Sequence, residues 1–341
     1  CKTVQALPGS GKDSIMKRVL ITGANGFLGF HLINAALAQK FEVFAGLRKN
    51  SKAGHLSQLH IQYRYLDYEN VEELTKEIAD KKINYIIHAA GTTKALKQEV
   101  FEQVNVAYTV NLAKAAQMSG NSFLKMVFIS SLAAVGPLKA NEGIITEKTF
   151  PSPLTSYGKS KLLAERKLAE LDIESVILRP TAIYGPREKE IFVIIKTLLK
   201  GIDANIGSKP QKLSFVYASD VADAAINALL SNAKAVFNIS DGNSYSKYDF
   251  ADALKHIVNK KALRMHLPQS AVHSLAHSLE KFNGWLNKPT MLSREKLKEL
   301  VAENWICDIS KAKQELNFNP KFNLETGLQE TIEWYRQNNW I

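Results

Sequence analysis

From Arg18 onward, short β-branched apolar runs alternate with longer segments in which apolar residues recur every three or four positions. Val19-Leu20-Ile21-Thr22 is such a run, and a glycine-rich turn, an amphipathic helical stretch and a second run over 42–47 follow it. Comparable runs return at 62–66, 85–88, 125–130 and 175–178, with helix-period segments at 71–81, 100–119 and 157–171 between them. Parallel strands need a crossover between neighbours, so this rhythm predicts a parallel sheet covered by helices on both faces. The expected fold is α/β, a Rossmann-type doubly wound sheet over 16–180 with a smaller C-terminal substrate-binding lobe.

After Arg179-Pro180 the texture changes, as Pro186, Gly201, Gly207 and Pro210 punctuate shorter segments and a helix-rich stretch occupies 269–301. Residues 181–341 are expected to form mainly the substrate lobe. Within it, strand-like 213–217 and 235–239, each followed by a helical segment, predict a return to the main sheet over 211–256. Residues 1–15 have neither an apolar core nor periodicity and are read as a disordered leader or cloning remnant.

Composition narrows the classes. A 45% apolar and 23% charged chain can bury a full core, while its longest apolar runs, such as Met126 to Ile129, fall far short of the roughly 20 residues that cross a bilayer. No membrane partner is expected. The net charge of +11 comes from 44 basic residues interspersed with 33 acidic ones, without a dense basic block or a nucleic-acid motif, so no nucleic-acid partner is expected either. Cys1 and Cys307 offer no disulfide framework or metal-ligand spacing, which suits a reducing cytoplasm. His273 and His277 share a helical face near His266, yet without an acidic or cysteine partner they make no metal site.

Candidate chemistry begins at the first turn. Gly23, Gly26 and Gly29 stand between a strand and a helix: Gly23 permits the turn, Gly26 lets backbone approach a pyrophosphate, and Gly29 allows helix to pack on strand. An NAD-preferring site would place an acid after the second strand to bond the ribose hydroxyls. Here the residues are Arg48-Lys49, and a guanidinium suits a 2′-phosphate. NADP(H) is therefore the preferred cofactor and NAD(H) the alternative, with solvated loop charges as the bland reading of the same pair. Asp67 follows a strand at the distance suited to an adenine edge, and Ala89-Ala90-Gly91 end another with small residues that leave room for a cofactor. His88, beside them, is read as a packed core histidine before a ligand or base.

Of eleven tyrosines only Tyr157 has a lysine four residues later, and Tyr157 and Lys161 open a helix on one face. A strand ending in Ser130-Ser131 lies upstream. Together with the glycine turn, His88-Ala89-Ala90-Gly91, Val104-Asn105-Val106 and Leu178-Arg179-Pro180-Thr181-Ala182-Ile183-Tyr184-Gly185-Pro186, these residues make the chain resemble the extended short-chain dehydrogenase/reductase family, the NAD-dependent epimerase/dehydratase type.

The resemblance spans Lys17 to Trp340 and implies a hydride passed between a nicotinamide and a small-molecule substrate. Tyr157 would be the acid/base, Lys161 would ease its ionisation and bond the nicotinamide ribose, and Ser131 would hold the substrate oxygen, with Ser130 as the fallback. Cofactor contacts would also come from Asn25, Phe27 and Leu28 of the glycine turn, from Tyr68 and Asn105, and from Pro180 and Ile183 near the carboxamide. A homodimer through the helices that carry the Tyr-x-x-x-Lys motif and the preceding long helix is implied as well.

Departures from the family pattern sort the reactions. Dehydratases of the family carry Thr-Asp-Glu at the strand end, where this chain has Ser131-Leu132-Ala133. Its sugar-nucleotide enzymes often carry Arg-Asp-Phe before the second lobe's strand; Lys212-Leu213-Ser214-Phe215 stands here, with Lys209 and Lys212 as possible substitutes. The tail from Met291 to Pro320 is similar to the reductase and hydroxysteroid-dehydrogenase branch. A ketone or aldehyde/alcohol oxidoreductase is the leading expectation, an NAD-dependent nucleotide-sugar epimerase the second, and a catalytically silent NADP-sensing protein the third.

Overall fold

The computed structural model describes residues 16–120, 122–140, 142–286, 290 and 292–341. The leader expected over 1–15 lies outside the described residues, as does Met291 of the tail motif.

The strands are β1 (Arg18–Thr22), β2 (Glu42–Leu47), β3 (Gln62–Tyr65), β4 (Tyr85–His88), β5 (Lys125–Ile129), β6 (Ser175–Pro180), β7 (Ala182–Tyr184), β8 (Ile202–Ile206), β9 (Lys212–Leu213), β10 (Phe215–Tyr217), β11 (Val236–Ile239), β12 (Tyr245–Ser246) and β13 (Leu263–Leu267). Seven of them form one sheet in the order β11-β6-β5-β4-β1-β2-β3, with every neighbouring pair parallel. The order reverses between β1 and β4, and Thr22 there faces Gly46 on one side and His88 on the other. A crevice at such a reversal, beyond the carboxyl ends of the strands, is where this architecture binds ligands.

Apolar runs read as continuous in the sequence where a strand buries both faces, as β1, β2, β4, β5 and β6 do, whereas the edge strand β3 is largely exposed. Val19, Ile21, Val127 and Leu178 point to one side, against Leu32 and Ile33 of helix Phe27–Ala38 and Val221 and Leu229 of helix Ala218–Leu230. Leu20, Ile86, Met126 and Phe128 point to the other, against Leu74 of helix Val71–Asp80, Leu112 of helix Tyr108–Met118 and Leu168 of helix Ser156–Ala169.

Two local readings change. Segment 235–239 joins the main sheet as β11, but 213–217 does not: it breaks at Ser214 into β9, which pairs with β12, and β10, which pairs with β7. The helix predicted over 100–119 is a composite, in which a short α-helix Gln98–Phe101 leads through a widened π-helical turn Glu102–Ala107 into helix Tyr108–Met118. That widened turn carries Asn105.

The second lobe has its own core, in which Tyr184, Phe215, Tyr217, Leu254, Leu328 and Tyr335 meet. Its last helix, Leu324–Gln337, can approach because position 327 is glycine: a Cβ there would stand 2.2 Å from the Tyr184 hydroxyl oxygen. Among the described residues no helix is long and apolar enough to cross a membrane.

Candidate active site

The glycine turn lies at the sheet's reversal point. Gly23 adopts φ +68°, a left-handed conformation that side chains disfavour, and a Cβ on it would meet the Ala89 carbonyl oxygen at 2.7 Å. A Cβ on Gly29 would stand 2.2 Å from the Gly23 oxygen, so helix 27–38 packs onto β1 only without one. Among the described residues no side chain caps this helix and no acid occupies its first turn, which leaves the backbone N–H groups around Phe27 and Leu28 open to an anion.

Beside the turn, Asn25, Arg48, Lys49, Asn50, Ser51 and Lys52 line a basin of about 440 Å³ at the ends of β1 and β2. Among the described residues none of its three basic side chains is salt-bridged. Asn25 Nδ2 donates to the Lys52 carbonyl at 3.4 Å, and Ser51 closes a tight turn with Arg48. Such a donor set can hold an anion or hydrogen-bond a ribose. Asp67 is exposed, and its Oδ1 accepts from Glu69 N at 3.0 Å. Farther along the crevice, the Thr181 hydroxyl is buried without a hydrogen-bond partner among the described residues, next to Pro180 at the end of β6 and near Ile183 in β7. An amide-bearing ring could satisfy it, so both ends of the crevice suit a nicotinamide dinucleotide.

The three polar residues expected to do chemistry converge at the ends of β5 and helix 156–169. Ser131 leaves β5 and caps a short 3-10 turn, Leu132–Ala134, by accepting from Ala133 N at 3.2 Å. Tyr157 is half-buried at the start of its helix. Its phenol lies up at about 12, chiefly through burial; the Ser131 hydroxyl beside it pulls the other way, and the carboxylates of Glu299 and Glu190 add to the rise. One turn on, Lys161 is buried; its Nζ donates to the Ile129 carbonyl at 2.9 Å and lies 4.7 Å from the centre of the Phe128 ring. Desolvation brings this ammonium down to about 8, against the opposing pull of Glu165.

Ser130 is engaged elsewhere. Its hydroxyl donates to Glu165 Oε1 at 2.5 Å, and Glu165 also receives Arg179 Nε at 3.0 Å and Arg179 Nη2 at 2.5 Å. All three are buried, so the pair holds the back of the catalytic helix to β5 and β6. Of the two serines, Ser131 is the one beside the tyrosine.

His88 is a fully buried structural group. Thr22 Oγ1 accepts from Ala90 N at 3.2 Å and stands 2.7 Å from His88 Nδ1, where its proton can go if that nitrogen is the acceptor. The Thr109 hydroxyl donates to the Asn105 carbonyl at 2.8 Å, so His88 Nε2 must donate to Thr109 Oγ1 at 3.0 Å. This string assigns a neutral Nε2–H tautomer, and burial brings the imidazole down to about 3.

Not every expected cofactor residue lies open in the crevice. Asn105 is fully buried; its Oδ1 accepts from Thr92 N at 2.8 Å, and its Nδ2 donates to the Thr92 carbonyl at 3.0 Å and to Ser160 Oγ at 2.9 Å. It braces the loop after Gly91 against the catalytic helix. Tyr68 is buried too, its ring stacked on Tyr108 at 5.3 Å between centroids. Ala89, Ala90 and Gly91 follow β4 beside Gly23 and Lys161, where a Cβ on Gly91 would meet Lys161 Nζ at 3.4 Å. Of the lysines considered for a diphosphate, Lys209 points to Glu303 at 3.1 Å and Lys212 opens β9. Among the described residues no three His, Cys, Asp or Glu side chains gather as metal ligands.

Sequence reading missed several participants. Lys52 could have been found as the last basic residue of the 48–52 run. Glu165 and Arg179 lie within quoted motifs but carry no local sign of pairing. Glu295 and Glu299 come from helix Arg294–Leu300, more than a hundred residues away, and have no sequence signal at all.

Comparison with known proteins gives the chain's family and fold. The profile of the NAD dependent epimerase/dehydratase family matches residues 19–240. Among curated relatives, the ceramide reductase of Caulobacter vibrioides is 25% identical over 325 residues, covering 95% of this chain and 96% of that protein. A decarboxylating sterol-4-alpha-carboxylate 3-dehydrogenase of Candida albicans is 26% identical (95% and 99% covered), and the UDP-glucose 4-epimerase of Vibrio cholerae 27% (97% and 99% covered). Among solved structures, a UDP-glucose 4-epimerase of Thermotoga maritima superposes with a TM-score of 0.77 at 20% identity, covering 94% of this chain and 99% of its own. The UDP-glucuronic acid 4-epimerase of Bacillus cereus in complex with NAD reaches 0.74 at 23%, over 94% and 99% of the two chains.

Proposed function

Because this chain belongs to the NAD dependent epimerase/dehydratase family, we propose that it is an NADP(H)-preferring oxidoreductase that interconverts a ketone or aldehyde with the corresponding alcohol. The observation that carries this reading is the convergence of Ser131, Tyr157 and Lys161 at a strand end without the acid pair that elimination needs, since Leu132 and Ala133 are buried and apolar. A bound nicotinamide supplies the hydride in reduction and accepts it in oxidation. Ser131 holds the substrate oxygen, and Tyr157, protonated at neutral pH in the free protein, donates its proton to that oxygen in reduction. Lys161 stabilises the phenolate that remains. Arg48, Lys49 and Lys52 hold the 2′-phosphate, and the uncapped start of helix 27–38 holds the pyrophosphate.

Calorimetric titration with NADP(H) and NAD(H), repeated on Arg48→Ala, tests the cofactor choice; with the better cofactor, ketones, their alcohols and sugar nucleotides are then screened. Tight NADP(H) binding that weakens tenfold or more in Arg48→Ala supports the proposal. NAD(H) preference indifferent to Arg48 sinks it and favours the second reading, a nucleotide-sugar epimerase. That alternative is supported by the 27% identity to a UDP-glucose 4-epimerase, and weakened by the engagement of Lys209 with Glu303. We also propose a homodimer through helices 108–118 and 156–169, where Met118 and Leu163 are exposed on the single chain; a monomeric mass in solution at micromolar concentration would refute it.

A further inference from the structure

The catalytic helix has no acid in its own first turn, although a helix N-terminus favours negative charge there. The missing charge arrives from the substrate lobe. Glu295 of helix 294–300 accepts from Ser156 N and Ser156 Oγ, both at 3.0 Å, and Glu299 accepts from the Thr155 hydroxyl at 2.7 Å. Thr155 is the N-cap and accepts in turn from Gly158 N at 3.1 Å. Each carboxylate therefore grips one of the two residues immediately before Tyr157.

Glu299 is itself fixed. Lys296 Nζ holds its other oxygen at 3.2 Å, Trp305 Nε1 donates to its carbonyl at 3.1 Å, and Leu297 of the same helix is buried. The neighbouring Arg294 is bound to Glu280 of helix Gln269–Trp285 at 2.7 Å, which anchors the short helix from behind.

We propose that Glu299 is a positioning residue that, by gripping the N-cap Thr155, sets the first turn of the catalytic helix and brings a negative charge of the substrate lobe to bear on Tyr157. This rests on the reading of Tyr157 as the proton donor. The groups that face Tyr157 are Ser131 from the end of β5, Glu299 from helix 294–300 and Glu190 from helix Glu190–Leu199, with Lys161 one turn on along its own helix. Glu190 is paired with Lys94 at 2.6 Å and Glu299 with Lys296, so each carboxylate's effect on the phenol is set by a lysine that can be removed. A negative charge near a phenol opposes its ionisation, whereas the helix N-terminus and Lys161 favour it. The substrate lobe thus supplies the negative charge that opposes the nucleotide-binding domain's pull on the phenol.

The test reads Tyr157 directly. Protein carrying 13Cζ-labelled tyrosine and saturated with NADP+ is titrated between pH 7 and 11.5, with Tyr157→Phe identifying the resonance. Glu299→Gln, which keeps an oxygen for Thr155 but loses the charge, should move the midpoint down by about half a unit or more. Lys296→Met, which leaves Glu299 uncompensated, should move it up, so the idea survives a folding failure of either variant. Glu303→Gln, an acid that pairs with Lys209, should leave it in place. Superimposable curves for wild type, Glu299→Gln and Lys296→Met, including curves that do not titrate, overturn the inference, as does an equal shift in Glu303→Gln. If instead Tyr157→Phe retains turnover on the substrate found by screening, the assignment of Tyr157 fails, whatever the titration shows.

Discussion

Helix 156–169 is held by carboxylates in two opposite settings. Behind it, Glu165 is buried with Arg179 and Ser130 inside the nucleotide-binding domain; in front, Glu295 and Glu299 reach over from the second lobe, and Lys296, the partner of Glu299, is 43% exposed. Removing a partner from a buried pair leaves a charge with no water to turn to, whereas a pair near solvent is screened and replaceable. The rear contact therefore secures the fold, and the front contact is free to adjust the chemistry.

The comparison is broken most severely at the rear. Glu165→Ala strands the Arg179 guanidinium, whose Nη1 already lacks a partner among the described residues, and is expected to destabilise the protein by about 3–5 kcal/mol in chemical denaturation. A loss under about 1 kcal/mol would show that the pair is hydrated in solution and that the contrast is mistaken.

Lys161 sits between the two settings and separates stability from activity. Its folded pKa is depressed from 10.5 to about 8, so the buried ammonium is a net burden below pH 8, and that burden disappears as pH rises from 8 to 10.5. Lys161→Met should therefore lose most turnover yet be more stable than wild type at pH 7, by on the order of 1–3 kcal/mol, with the gap closing by pH 10.5. A gap independent of pH would mean that the ammonium is not desolvated. Tyr157→Phe should lose about 100-fold or more in kcat with NADP(H) affinity within a fewfold of wild type; comparable losses in both would make the tyrosine a binding group instead.

At the front the expected effect on stability is the smallest. Glu299→Gln should change the unfolding free energy by under about 1 kcal/mol while moving the Tyr157 titration. A thermal shift as large as that of Glu165→Ala would erase the distinction between the two ends.

Much of the frame was legible because it depends on neighbours in sequence. Continuous apolar runs marked strands buried on both faces, Gly23 and Gly29 marked a turn and a close approach, and a four-residue spacing placed Tyr157 and Lys161 one above the other. The same reading sent 213–217 to the main sheet, since periodicity reports that a segment is a strand but not which edge it will join. It also grouped Asn105 and Tyr68 with the cofactor contacts although both side chains are buried in braces and packing.

By itself, then, the sequence determined the alternation of strand and helix, the phosphate-ready turn, the basic character of the second strand's end and the spacing of tyrosine and lysine, all consequences of local backbone geometry. Only the tertiary structure decided that Ser131 rather than Ser130 stands free beside Tyr157, that His88 is a neutral strut, and that Glu295 and Glu299 grip the catalytic helix. Those outcomes depend on which groups consume one another's hydrogen bonds across 21 to 144 residues of chain, and no local pattern encodes such a partnership.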